Sequence, residues 1–414
     1  MLLQTVLNDI YKFAGFQYKK IILDNKTKEL TIQILSDKRY KPLCGKCRNP
    51  SSGYDKLKER IFLFIPMWGL KVKLLYTPRR VNCKEHGIVV EHIPWAIGKS
   101  PITEAFGIYL AHWAKKLDWK EVAKTFYVSW DIVFNAVQYV VAYGLKNRIL
   151  QGIKQIGVDE IHFNKMKYLT MIYDITANQK RLLWIGKERK AKTLLRGLRK
   201  IGLSNLQGVT AVSIDMWQAY VKVVKKKLPK AIIILDRFHI MKKFNEAIDE
   251  VRRKEYVDLK AKGHGTVLKN SRWCFLKKPE NLTEKQEQRM KELAKQNLMT
   301  YKTNLLRESF QKFWLYTCST TAEKFLEDWT LIAMRSKIEP IKKVAKMLRR
   351  HKKNILNWFM VSPRISNGTV EGFNNKAKTI IRQHYGFRTF SALELALYHS
   401  MGDLPMPQLT HSFV

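Results

Sequence analysis

The sequence predicts a multidomain α/β protein. Three observations predict it. Between Gln155 and Tyr256, short apolar runs alternate with amphipathic stretches in the order β-β-β-α-β-α-β-α. Before them lies a region with turn signals and paired cysteines, and after them a helical stretch dominated by Lys, Glu and Gln. At 414 residues and 46% hydrophobic side chains, the chain has material for two to four domains.

The elements follow in order. Residues 1–40 read as a short helix and then a hairpin, with Phe16–Leu23 and Leu30–Leu35 flanking the turn Asp-Asn-Lys-Thr-Lys. Residues 41–95 carry the paired cysteines, and Pro94 and Pro101 mark a boundary. From Ile102 to Tyr143 the pattern is helical. Asp118 and Glu121 make a capping box, after which Val122, Ala123 and Phe126 share an apolar face. Val128-Ser129 breaks that helix, and Ser129 caps the next. There Ile132, Val133, Ala136, Val137 and Val140 point inward, while Asp131, Asn135 and Gln138 point outward. Two short helices with a tight turn resemble a helix-turn-helix, although an ordinary helical hairpin has the same pattern.

Gln155–Asn164, Tyr168–Thr176 and Arg181–Glu188 then read as strands, and Ala191–Ile201 as a basic helix. Val209–Asp215 is a fourth strand and Trp217–Leu228 a helix. Ala231–Asp236 is a fifth strand, almost wholly aliphatic and so buried on both faces, and Phe238–Tyr256 is a long helix. By analogy, this order is that of a ribonuclease-H-like core. Residues 257–340 read as a helical insertion, with a capping box at Thr283 and Gln286 and with Trp314 and Trp329 in helical stretches. From Asn367 a further helix completes the core.

The charge names the partner. Seventy-six Lys and Arg against 35 Asp and Glu leave +41, a field that a nucleic-acid backbone matches and that a membrane surface matches less well. No apolar run reaches the length of a membrane span, and the N-terminus lacks a basic leader, so neither a membrane nor secretion is expected. Five cysteines in a long chain fit a reducing cytoplasm. The basic clusters at Lys225–Lys227, Lys242-Lys243, Arg252–Lys254 and Arg349–Lys353 together offer a phosphate track. Trp217 and Trp329 are candidates to stack on unpaired bases, with core packing the plainer role for each.

Three carboxylates carry the chemistry. Asp159 and Asp215 each end an apolar strand, and Glu371 begins a helix. Such a set can hold Mg²⁺ or Mn²⁺ through oxygen ligands for phosphodiester chemistry. On the Glu371 helix, Val370, Phe373, Ala377 and Ile380 form one face, while Asn374 and Lys378 share the face of Glu371. Lys378 can grip a phosphate there. Asp236, after the run Ile-Ile-Ile-Leu, competes with Asp215 as the second ligand. Glu160, Asp174 and Glu339 are minor candidates. Separately, Cys44-Gly-Lys-Cys47 and Cys83-Lys-Glu-His86 suit a tetrahedral structural Zn²⁺ in a zinc ribbon, with His92 a competitor for His86. Cys274 and Cys318 read as buried hydrophobes.

Four motifs occur in register: Val-Asp-Glu-Ile-His-Phe, Ile-Asp-Met-Trp-Gln-Ala-Tyr, Leu-Asp-Arg-Phe-His-Ile-Met-Lys and Asn-Gly-Thr-Val-Glu-Gly-Phe-Asn-Asn-Lys-Ala-Lys. Over nearly its whole length the chain resembles the ISL-three family of bacterial insertion-sequence transposases, which have a DDE active site. The resemblance implies Asp159, Asp215 and Glu371 as the catalytic triad and Lys378 as the basic residue that follows the glutamate. Asp236 and His239 match an Asp-x-x-His signature of unassigned role. His86 departs from the family's second cysteine pair.

The expected partners are the element's double-stranded terminal inverted repeats and target DNA, with at least a dimer assembled on them. Asn135 and Gln138 would read bases. The expected place is the bacterial cytoplasm, at the nucleoid. The expected domains are 1–95 (hairpin and zinc ribbon), 96–150 (helix-turn-helix), 151–256 with 341–414 (catalytic), and 257–340 (insertion). A structure-directed nuclease and a non-catalytic DNA-binding regulator are the rival functions.

Overall fold

The computed structural model describes residues 3–163, 167–264, 266–277, 279–361 and 368–408. The chain divides into two compact units, Met1–Ile149 with Thr379–Val414, and Leu150–Lys378.

The first unit opens with α1 (Leu3–Ile10), β1 (Phe16–Asp24) and β2 (Glu29–Ser36), and the expected hairpin is the antiparallel β1–β2 pair. There follow β3 (Ser52–Lys56), β4 (Arg60–Met67), β5 (Leu70–Tyr76), β6 (Arg79–Cys83) and β7 (Gly87–Val90). They sort into two sheets, ordered β1-β2-β5-β4 and β3-β6-β7. A zinc ribbon, as expected for Cys44, Cys47, Cys83 and His86, holds a hairpin between its ligand pairs. That hairpin, β4–β5, leaves the cysteine region and joins β2, with β5 parallel to it. The reason lies in period-two burial. Leu30, Ile32 and Ile34 of β2 need a partner surface, and Phe62, Val72 and Leu74 supply it around the buried Trp95.

Three helices follow: α2 (Glu104–Trp113), α3 (Trp119–Thr125) and α4 (Trp130–Asn147). Asp118 caps α3 by accepting from the Lys120 and Glu121 amides, and Ser129 caps α4 by accepting from the Ile132 amide. Between them Tyr127 takes a positive φ of 53° and is exposed. Val133, Ala136, Val137 and Val140 of α4 are buried, Ile132 is half-buried, and Asp131, Asn135 and Gln138 are exposed.

The second unit is built on β8 (Gln155–Phe163), β9 (Lys167–Asp174), β10 (Arg181–Lys187), β11 (Ala211–Ile214) and β12 (Ile232–Leu235), with α5 (Ala191–Ile201) and α6 (Gln218–Lys227) between them. The sheet order is β10-β9-β8-β11-β12, the first three strands antiparallel and the last three parallel. The long helix α7 (Arg237–Ala261) runs five residues past Tyr256. Then come α8 (Arg272–Leu276), α9 (Glu284–Ala294), α10 (Met299–Gln311), α11 (Ser319–Arg335) and α12 (Glu339–Leu356). Thr283 and Gln286 form their capping box on α9. Phe244 of α7 packs its ring on Phe310 and Trp329, and the Trp329 indole donates to the Leu306 carbonyl and the Ser309 hydroxyl. Trp329 is therefore a core residue. Cys274 is buried, but Cys318 is exposed: it precedes α11 in extended backbone, outside the packed face.

α13 (Thr369–Gln383) lies on the sheet, and α14 (Phe390–Met401) packs on α4 in the first unit. At Gly157 of β8, a Cβ would come within 2.6 Å of Val370 Cγ2, so glycine permits the close approach of α13. Phe373 stacks on Tyr173 of β9 at 4.6 Å. The strand end at Asn164 and the motif start at Asn367 lie outside the described residues. No helix among the described residues is long and apolar enough to cross a membrane.

Candidate active site

Register brings the carboxylates together. In the parallel half of the sheet, Val158, Ile214 and Leu235 stand side by side. Each is followed by an aspartate, so Asp159, Asp215 and Asp236 stand at one level; Asp215 and Asp236 follow the last residues of β11 and β12, whereas Asp159, expected at a strand end, lies inside β8, which continues to Phe163 because it goes on pairing with β9. The first turn of α13 brings Glu371 to the same place. All four line a cavity of about 460 Å³, together with Asn374, Lys378, Glu160 and His239. The edge where parallel strands end is where open α/β sheets keep their ligands.

Within the cavity the groups form two sets. One ligand atom from each of Asp159, Asp236 and His239 lies within 4.8 Å of the others. His239 Nε2 is 3.5 Å from Asp159 Oδ1. Asp215 belongs to the second set. Its Oδ2 accepts from Arg189 Nη2 at 2.5 Å and its Oδ1 from the Trp217 amide at 2.7 Å. Arg189 Nε also pairs with Glu160 Oε1 at 3.1 Å, and its guanidinium lies 4.9 Å over the Trp217 ring. Glu371 and Asp215 line the cavity outside the tight set.

Asp159 is held on its other side. Its Oδ2 accepts from Asn374 Nδ2 at 2.6 Å, and Asn374 Oδ1 accepts from the Tyr173 hydroxyl at 2.8 Å. Burial pushes the Asp159 carboxyl above its usual range, with the facing His239 opposing the shift. Burial also raises Asp236 to about 6, and burial with Asp215 nearby raises Glu160 to about 7. Crowded carboxylates under burial are a costly arrangement that a bound cation relieves. The donor set of carboxylate oxygens and one imidazole fits a divalent metal.

Sequence reasoning placed Asp159, Asp215, Glu371 and Lys378 in one site, and the structure brings them to one cavity. Glu160 joins them, while Asp174 pairs with Arg181 and Glu339 with Lys342 elsewhere. Asp236 caps α7 by accepting from the Phe238 amide, as a structural cap would, and also faces Asp159. The residues sequence reasoning missed are Arg189 and Tyr173, while Asn374 was placed on the face of Glu371 but given no role. Asn374 had one signal, its position one turn after Glu371. Arg189 had none.

The second cluster lies in the first unit. Cys44, Cys47, Cys83 and His86 each place a ligand atom within 4.8 Å of the others, and His92 is outside the group. Cys47 and Cys83 sulfurs are 3.6 Å apart, and His86 Nδ1 is 3.9 Å from Cys44 Sγ and 3.7 Å from Cys83 Sγ. Bonds of about 2.3 Å to a tetrahedral ion put sulfurs about 3.8 Å apart, so the group fits zinc. At Gly45, in the knuckle, a Cβ would strike the Val90 carbonyl at 2.4 Å. The His86 contact pulls the Cys83 thiol down to about 6, towards the thiolate that binds metal.

Asn135 and Gln138 stand exposed on α4. They belong to the first unit, and the carboxylate cavity is built from residues of the second.

A family model described as transposase, of the DDE and ISL3 type, matches residues 156–397. The chain is similar to the transposase for insertion sequence element IS1557 of Mycobacterium tuberculosis, with 28% identity over 392 residues, 87% of this chain and 86% of that one. It is also similar to the transposase for insertion sequence element IS1001 of Bordetella parapertussis, with 26% identity over 350 residues, 84% of this chain and 85% of that one.

Proposed function

The chain belongs to the ISL3 family of DDE transposases, whose model covers more than half of it, and from that premise we propose that it cleaves and joins the ends of an insertion sequence with Asp159, Asp215 and Glu371. The observation that carries the proposal is the cavity. Carboxylates from β8, from the end of β11 and from α13 line it with Lys378, although they are far apart in the chain.

In this reading the second unit is a ribonuclease-H-like core whose three carboxylates hold Mg²⁺ or Mn²⁺. When bound, the metal lowers the pKa of the attacking water and stabilises the departing oxygen. The chain's own residues do the rest. Lys378, Lys242 and Lys243 at the cavity hold the DNA phosphates on either side of the scissile bond. Asn374 keeps the Asp159 carboxylate turned towards the cavity. Arg189 neutralises Asp215 until DNA and metal arrive, after which its guanidinium is available to a phosphate. Asp236 and His239 act as accessory groups. The 3′-hydroxyl freed by hydrolysis then attacks target DNA in line.

The first unit reads the terminal inverted repeat. Cys44, Cys47, Cys83 and His86 hold structural Zn²⁺ in a ribbon. α3 and α4 form a helix-turn-helix whose exposed Asn135 and Gln138 present amides to adenine in the major groove. The domains run 1–95, 96–150, and 151–256 with 341–414, around an insertion at 257–340. Two element ends require at least a dimer on DNA. The charge of +41 supports a polyanionic partner.

An end-specific strand-transfer assay with purified full-length protein tests this. With Mg²⁺ or Mn²⁺, wild type should nick repeat ends and join them to target DNA, while Asp215→Asn should bind the repeat as wild type does and cleave nothing. Cleavage directed by DNA structure and not by the repeat would make it a nuclease. Repeat binding without cleavage by wild type would make it a regulator. Full cleavage by Asp215→Asn would overturn the triad.

A further inference from the structure

We infer that His239 is a metal ligand, and that Asp159, Asp236 and His239 together hold one divalent cation in a mixed oxygen and nitrogen site selective for Mn²⁺ over Mg²⁺. The inference rests on the metal-dependent reading above and goes beyond it. The triad alone offers only oxygen donors, and oxygen donors suit Mg²⁺. An imidazole nitrogen shifts preference towards transition metals.

The geometry comes from three elements. β8 supplies Asp159. β12 ends at Leu235, so that Asp236 stands at the junction with α7, and His239 follows three residues later in the first turn of that helix. Asp236 precedes the helix as its N-cap in extended backbone and His239 lies in its first turn, and a ligand atom of each comes within 4.8 Å of one from Asp159. The Asp236 cap uses one oxygen, Oδ1, on the Phe238 amide, and a carboxylate has two.

Ligand atoms sharing an octahedral ion with bonds of about 2.1 Å lie about 3.0 Å apart at right angles and about 4.2 Å apart when opposite. The 3.5 Å between His239 Nε2 and Asp159 Oδ1 falls inside that span. The competing ligand is occupied. Asp215 stands at the same sheet level, but Arg189 and the Trp217 amide hold both its oxygens. The sheet edge is thus divided, with Asp215 and Glu160 on a guanidinium and Asp159 and Asp236 facing an imidazole. This division gives the Asp-x-x-His spacing a role that an N-cap alone does not need, since the cap requires only Asp236.

The test is equilibrium metal binding, with pulsed electron paramagnetic resonance of bound Mn²⁺, on zinc-saturated full-length protein. Wild-type Mn²⁺ should show a nitrogen hyperfine coupling. His239→Ala should lose that coupling and bind Mn²⁺ at least about tenfold more weakly, with Mg²⁺ affinity changed much less, so the Mn²⁺ preference collapses. His239→Gln, which keeps a polar side chain but no imidazole, should also lose the coupling. Asp215→Asn should keep it.

Bound Mn²⁺ with oxygen ligands only, in wild type, would overturn the inference and leave the triad reading standing. Unchanged Mn²⁺ affinity in a folded His239→Ala would do the same. If Asp159→Asn left all divalent binding unchanged, the cavity would not be a metal site, and both readings would fall.

Discussion

Replacing Asn374 with alanine should damage the site without touching a proposed catalytic carboxylate. Asn374 and Tyr173 are 6% and 0% exposed, so neither can turn to water for a substitute partner. The amide accepts from the Tyr173 hydroxyl at 2.8 Å and donates to Asp159 Oδ2 at 2.6 Å. Its removal strands two buried groups, each costing about 1–3 kcal/mol, so the variant should lose about 2–6 kcal/mol of stability. Tyr173→Phe strands only Asn374 Oδ1 and should lose about 1–3 kcal/mol. Because the two changes share a bond, the double variant should lose less than their sum by about 1 kcal/mol or more. Metal should report the positioning separately. With its orienting partner gone, Asp159 should bind Mn²⁺ about 10–100-fold more weakly, as outer ligand-orienting contacts usually dictate. Urea unfolding measures the first effect and Mn²⁺ titration of the folded variant the second. Additive losses in the double variant, with metal affinity at the wild-type level in Asn374→Ala, would refute the relay.

Other outcomes follow from the same structure. Purified protein should contain one Zn²⁺, and Cys47→Ser should lose it and unfold the β3-β6-β7 sheet while leaving the catalytic unit folded, as read by metal analysis and limited proteolysis. Equal zinc in the variant would remove the site. His399, 4% exposed and with no hydrogen-bond partner for either ring nitrogen among the described residues, is held down to about 3 by burial first and then by Lys115, His112 and His384. A depressed histidine stabilises the fold above its unfolded value near 6.5 and loses that contribution as pH falls. The urea midpoint should therefore drop between pH 7 and pH 5 by the equivalent of about 2 kcal/mol, and by clearly less in His399→Gln. Equal drops would show that another group titrates.

The local code was legible because it is written in neighbouring residues. The short apolar runs of β8 to β12 and the amphipathic helices between them follow from side chains a few positions apart, and the observed elements keep that order. The caps at Asp118, Ser129 and Thr283 needed only the residues that follow them. The Cys44–Cys47 knuckle and Asp215 at the end of β11 were visible for the same reason.

What only the tertiary structure decided was which distant segments meet. Strand pairing depends on surfaces and not on spacing, so nothing local told β4 and β5 to leave the cysteine region for β2. Asn374 reaches Asp159 across 215 positions and Tyr173 across 201, and Arg189 meets Asp215 from the loop after β10. The sequence alone determined that Asp215 and Asp236 follow strand ends, but it misplaced Asp159, which lies inside β8 because that strand goes on pairing with β9. The packing of α13 on Gly157 and the shared level of Val158, Ile214 and Leu235 decided that they face one cavity. Backbone hydrogen bonds set that level and close packing sets that approach, and both exist only once the sheet has formed.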